Sequence, residues 1–165
     1  MSEVERAIWL GMLDAEMNAL YYGYLSRRYA RYEKFTQIFV AVVSTSAIAS
    51  LQIWKAKLGW FEWGWIWNAL SIMAVIASIT APLLGHSNIS RKSAILRPVF
   101  IEYRDKYEDL WFKRNKIKQN ALQQKLYEIK KDLNKRTTDD STLPRNIKLL
   151  KKCQKEIIDA RGLHN

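Results

Sequence analysis

Two stretches of this chain carry no formal charge, and the segments around them repeat apolar side chains at helical spacing. Lys34 and Lys55 bracket 35–54, FTQIFVAVVSTSAIASLQIW, and Glu62 and Arg91 bracket a second run whose usable part is 63–85. At about 1.5 Å rise per residue, helices over these runs reach roughly 30 and 35 Å. A hydrocarbon core about 30 Å thick is crossed by about 20 apolar residues. A basic side chain at its centre costs about 2.5–3.5 kcal/mol, which makes the four charges boundaries. The pattern predicts an all-α membrane protein with a two-span hairpin, 35–85, and a short tip. Core helices of a water-soluble protein are the alternative, but those are usually shorter.

The flanks set an orientation. Trp54, Trp60, Trp63, Trp65 and Trp67 cluster around the tip, as tryptophan does at headgroup level. Arg27, Arg28, Arg31 and Lys34 precede the first run and Arg91, Lys92 and Arg97 follow the second, against only Lys55 and Lys57 at the tip. Positive segments stay inside, so both termini are expected in the cytoplasm.

Outside the hairpin the pattern predicts helices packing as a small bundle beneath the membrane, one from 1–34 and the rest from 86–165. Ser2 and Glu5 have capping-box spacing, so a helix starts at once. Val4, Ile8, Met12, Ala15, Ala19 and Tyr22 form one apolar stripe and Trp9, Leu13, Met17, Leu20 and Tyr24 a second, beside a narrower polar face of Glu3, Arg6, Asp14 and Asn18. A long helical pattern follows Ser90, with Pro98 ending or kinking its start. Tyr107, Leu110, Trp111, Ile117, Leu122, Leu126, Ile129 and Leu133 continue it. The polar segment 136–144 reads as a loop. A last helix runs from about Pro144 to Arg161 and stops at Gly162, with Leu150, Cys153 and Ile157 on its apolar side.

Charge changes this picture by pointing to partners. The 165 residues have a net charge of +11 and a mean hydropathy of −0.26. Residues 86–165 hold 20 Lys or Arg against 10 Asp or Glu, contributing +10. Such a surplus suits lipid headgroups, nucleotides or nucleic acid; basic cytoplasmic segments are also the rule in membrane proteins. The single cysteine, Cys153, forms no intrachain disulfide and reads as core. No cleavable signal peptide is visible in 1–34.

No catalytic, cofactor or metal constellation is evident, and an enzyme is not expected. His86 and His164 lack an acid or thiol at ligand spacing, and Asp139 and Asp140 fall in the loop. Within the second run Asn68, Ser71, Val75 and Ser78 share one stripe, as a helix-packing face or, in an oligomer, a pore wall. Arg145, Lys148, Lys152 and Lys155 share one face of the last helix, opposite its apolar side, with Lys151 beside them. More than fifty residues beyond the second run, they point to a phosphate-bearing ligand or single-stranded nucleic acid, with Trp111, Phe112 or Tyr127 as stacking surfaces. Arg27, Arg28 and Arg31 are the alternative ligand contacts, and a solvated basic face is the plainest reading of the stripe.

One further clue lies in the order of features: an amphipathic helix, the aromatic-basic run YYGYLSRRYARYEK at 21–34, the hairpin, HSNISRKSAIL at 86–96 and a long charged helix. This order resembles the SLATT family, two-transmembrane effectors found beside nucleotide-making or nucleotide-sensing partners in bacterial anti-phage systems. The resemblance implies a homo-oligomer, such as a tetramer, in the bacterial inner membrane. It implies a pore or membrane-disrupting unit that answers a nucleotide or nucleic-acid signal from a partner nucleotide-synthesising enzyme, depolarising the membrane in abortive infection. A non-conducting membrane-tethered scaffold and a transporter accessory subunit are the competing classes.

Overall fold

A computed structural model describes residues 1–53, 69, 72, 73, 75, 76, 85–138 and 142–163, with 43–53 as backbone only. Among them lie four longer helices and one short turn: α1 Glu3–Ile53, α2 His86–Lys113, a 3₁₀ turn Arg114–Lys116, α3 Gln119–Arg136 and α4 Ile147–Arg161. The chain divides into two compact units, one of residues 1–27 with 91–165 and the other of 28–90.

The helical class holds, but the membrane hairpin does not. Among the described residues, no helix is long and apolar enough to cross a membrane. The run 35–54 was delimited by absence of charge, which is a weaker property than apolarity. Through Ile53 it is the tail of α1, whose earlier turns carry charges up to Lys34. The multi-pass inner-membrane location and the inside–outside assignment of the termini rested on that hairpin and are withdrawn with it. The second run lies almost wholly outside the described residues, as do the tip and its tryptophans. In the unit of 28–90, Phe35, Ile38 and Val42 are exposed on α1.

The unit of 1–27 and 91–165 holds the core. Its first helix begins with the reciprocal cap expected from Ser2 and Glu5: the Ser2 N–H donates to Glu5 Oε2 at 2.7 Å, and the Glu5 N–H donates to Ser2 Oγ at 3.2 Å. Two orphan donors are satisfied before the first turn closes. Ile8, Met12, Ala15, Ala19 and Tyr22 are buried, so the first apolar stripe is the one that faces inward. The second stripe stays peripheral, with Leu20 exposed. Ile8, Met12 and Ala15 meet Tyr103, Tyr107 and Leu110 of α2 and Leu122 and Leu126 of α3 in one cluster. Gly11 fits here only as glycine, because a Cβ would lie 2.9 Å from the Tyr107 ring. Burial also pushes the Tyr107 phenol up to about 12. Where α1 leaves this cluster, Tyr22 stacks on Phe100 at 5.4 Å between ring centroids.

The expected long charged helix is two helices. Lys113 ends α2, Ile117 is extended, and α3 starts after Lys118. Ile117 packs against the core, and Arg114 Nη1 donates to the Trp111 carbonyl at 2.9 Å, occupying an orphan acceptor at the end of α2. The break lets α3 return Leu122 and Leu126 to the core that Leu110 already serves. Pro98 does not end a turn; it sits inside a continuous α2, which starts at His86, earlier than expected. At the chain's far end Gly162 adopts a left-handed backbone (φ 63°), and the next N–H, of Leu163, donates to the Ile158 carbonyl at 3.0 Å.

Candidate anion-binding site

Helix α4 is placed by its apolar side. Cys153 and Ile157 are buried, at 0% and 5% exposure. Lys148, Lys152 and Lys155 fall on the exposed side, as their spacing predicts. Arg145 differs: α4 starts at Ile147, three residues after Pro144, so Arg145 stands in the connecting loop. Asn146 caps the helix, its side chain accepting from the Leu149 N–H at 3.0 Å.

Tyr21 fixes that loop. Its ring is almost fully buried. Its hydroxyl donates to the Pro144 carbonyl at 3.0 Å and accepts from the Asn146 N–H at 2.9 Å. One side chain of α1 thereby clamps both neighbours of Arg145. Beside the clamp is a half-open cavity of about 200 Å³, lined by Asn18, Tyr21 and Tyr22 of α1 and by Leu143, Pro144, Arg145 and Leu150. The Asn18 amide donates one hydrogen to the Asp14 carbonyl at 3.0 Å. An amide carries a second N–H and a carbonyl oxygen, so Asn18 brings further hydrogen-bonding capacity to the cavity wall.

The basic stripe divides into two parts. Lys152 is engaged: its ammonium lies 3.8 Å from Glu156 and 4.9 Å from the Tyr24 ring centroid. The Tyr24 hydroxyl donates to the same Glu156 carboxylate at 3.1 Å. Arg145, Lys148, Lys151 and Lys155 are exposed and have no acidic partner among the described residues. Arg145, which lines the cavity, and Lys148 one turn on are therefore the cations there without an acidic partner among the described residues. A guanidinium offers a planar fork of donors matched to phosphate oxygens, and Lys148 adds a point charge. Among the described residues, no Ser, Thr, Cys, His, Asp or Glu lines the cavity. Cys153 is fully buried, and burial, then Glu156, pushes its thiol up and away from the thiolate form.

The other residues singled out from the sequence are elsewhere. The Arg27 guanidinium lies 5.7 Å from the Tyr24 ring centroid. In the unit of 28–90, Arg28 Nε donates to the Tyr32 hydroxyl at 3.1 Å, a contact that raises the guanidinium's pKa, and Arg31 is exposed. The His86 ring lies 5.4 and 5.9 Å from those of Tyr29 and Tyr32. Of the expected pore stripe only Val75 is described, and it is exposed; Asn68, Ser71 and Ser78 lie outside the described residues, as do Asp139, Asp140 and His164. Trp111 is taken up by Trp9 at 5.2 Å and by Arg114 at 4.1 Å. Phe112 and Tyr127 are 70% and 65% exposed. The sequence reading missed Asn18, Tyr21 and Leu143 as site residues. Tyr21 is one position off the apolar stripe that ends at Tyr22, and no local spacing announces its bond to Pro144, 123 residues on.

With the site described, the comparisons add nothing to it: no family model, no curated protein and no solved structure matches this chain.

Proposed function

We propose that this chain is a helical binding module that takes a phosphate-bearing ligand at the start of α4, and that it acts by recruitment rather than by catalysis. The observation that supports this is the pairing of an unengaged Arg145 with a cavity whose wall it forms, on a loop held by Tyr21. Phosphate oxygens meet the guanidinium, Lys148 screens the remaining charge, and the Asn18 amide supplies the directional contact. The expected pore requires two membrane spans; the recruitment reading does not depend on a bilayer.

The test is a titration with inorganic phosphate and with a nucleoside triphosphate, read as a rise in thermal midpoint. A ligand that binds only the folded chain stabilises it by about 2.7 kcal/mol at a hundred times its Kd. Arg145→Glu with Lys148→Glu should abolish the rise. Lys155→Glu should leave it nearly intact. An equal rise in the double variant would remove this site.

Homo-oligomerisation is a separate proposal, supported by Phe35 and Ile38, 71% and 53% exposed one turn apart on α1. Light scattering that returns the monomer mass of 19.4 kDa across a concentration series would end it.

A further inference from the structure

A second charged surface lies on the turn after α2 and along α3. Residues 113–136 contain nine Lys or Arg and two acids. Both acids are engaged. Asp132 accepts from the Tyr103 hydroxyl and lies 3.6 Å from Lys106, and Glu128 accepts from the Gln124 amide at 3.2 Å. Two of the nine cations are also paired, Lys113 with Asp109 and Arg136 with Glu102, each within 2.8 Å. Lys116, Lys118, Lys125, Lys130, Lys131 and Lys135 are exposed with no acidic partner among the described residues. Nine cations against two carboxylates leave this segment strongly positive.

An exposed aromatic ring interrupts the charge. Tyr127 is 65% exposed, although Leu126 beside it is buried. Lys130 and Lys131 follow it by three and four residues and Gln123 and Gln124 precede it by four and three, so all four neighbour it on the helix surface. A bare lysine face serves solubility. A ring held open to water among cations and amides is also a flat surface on which an unpaired base can stack while the lysines take the flanking phosphates. Duplex bases are already stacked on one another and offer no face to Tyr127, and an acidic peptide has no base to place there. The helix is 18 residues long, or about 27 Å, enough for several nucleotides of extended strand.

We propose that α3 is a docking surface for single-stranded nucleic acid, with Tyr127 as its stacking platform and Lys130 and Lys131 as phosphate contacts. The probes are a short labelled oligothymidylate, a duplex of the same length, and polyglutamate as competitor, read by fluorescence anisotropy over a salt series. The single strand should bind, weaken as salt rises, and outcompete both other polymers. Tyr127→Ala should weaken it about 5- to 150-fold with the salt slope unchanged. Lys130→Glu with Lys131→Glu should lower the slope of log affinity against log salt by about 1.4, at about 0.7 per phosphate contact. These side chains are exposed, and unchanged helical circular dichroism confirms that each variant is folded. No binding, equal binding of duplex or polyglutamate, or wild-type affinity in Tyr127→Ala would each overturn the proposal. Loss of oligonucleotide binding in Arg145→Glu with Lys148→Glu would also overturn it, by moving the strand to α4; retained binding there, with phosphate binding lost, would support two separate surfaces.

Discussion

Lys106 and Arg136, between α2 and α3, and Arg145 and Lys148, at the start of α4, are the same residue types in opposite circumstances. Lys106 lies 2.8 Å from Glu102 and 3.6 Å from Asp132, and Arg136 donates to both Glu102 oxygens at 2.8 Å. Both cations also lie over the ring of Tyr103, whose hydroxyl donates to Asp132. That cluster ties α2 to α3 and leaves no charge over. Arg145 lines a cavity and Lys148 is exposed to solvent instead. The 27 Lys and Arg residues behind the net charge of +11 are thus of two kinds, and the second kind is the one open to a ligand. Counting charges cannot separate them; finding their partners does.

The contrast breaks first at Tyr103. Its ring is fully buried and organises the α2–α3 cluster, so Tyr103→Ala should cost about 3–5 kcal/mol, read as a lower urea midpoint. A loss under about 1 kcal/mol would mean that the cluster is decoration. Gly11→Ala comes next. Helix propensity favours alanine by about 1 kcal/mol, but the new methyl meets the Tyr107 ring at 2.9 Å. Overpacking of this kind costs about 1–3 kcal/mol, so the midpoint should fall; a rise would show that α1 and α2 can part without penalty.

Acid sharpens the comparison. Hydrogen bonds from Lys106 and Arg136 hold the Glu102 carboxyl below its ordinary value, and that from Tyr103 does so for Asp132. Folded values below the unfolded ones stabilise the chain fully above the ordinary carboxylate range near pH 4. That stabilisation is lost as pH falls through the depressed values. The stability curve should therefore drop below about pH 4, and Asp132→Asn should flatten the drop. Both carboxylates are about half exposed, 43% and 50%, so the effect is modest and salt should shrink it. The smallest effect is expected at the other region: Arg145→Glu with Lys148→Glu should shift stability by no more than about 0.5 kcal/mol while phosphate binding disappears. A large loss of stability would make those two residues structural and erase the contrast.

Much of the fold was legible in local pattern. The capping box at Ser2 and Glu5, the stripe from Ile8 to Tyr22, and the stop at Gly162 each depend on residues within a few turns of one another. The α2–α3 break was not legible, because the apolar period runs on through Ile117 to Leu122; what bends the chain is the core that receives both sides of the turn. The hairpin failed for a different reason. Lack of charge marks where a bilayer would be tolerated, but crossing it requires a helix both long and apolar enough, and there is none among the described residues. The site was half visible: α4's exposed lysines follow from helical spacing, but the clamp on Arg145 joins residues 123 and 125 positions apart.

The sequence by itself determined helix formation, the inward side of α1 and α4, and the excess of positive charge, since each is set by neighbours three or four residues away or by composition alone. The tertiary structure alone decided which cations are engaged across elements, beyond the pairs one helical turn apart. An ion pair such as Arg136 with Glu102, or a hydroxyl clamp such as Tyr21 on Pro144, forms only when the folded backbone brings distant groups within hydrogen-bond reach.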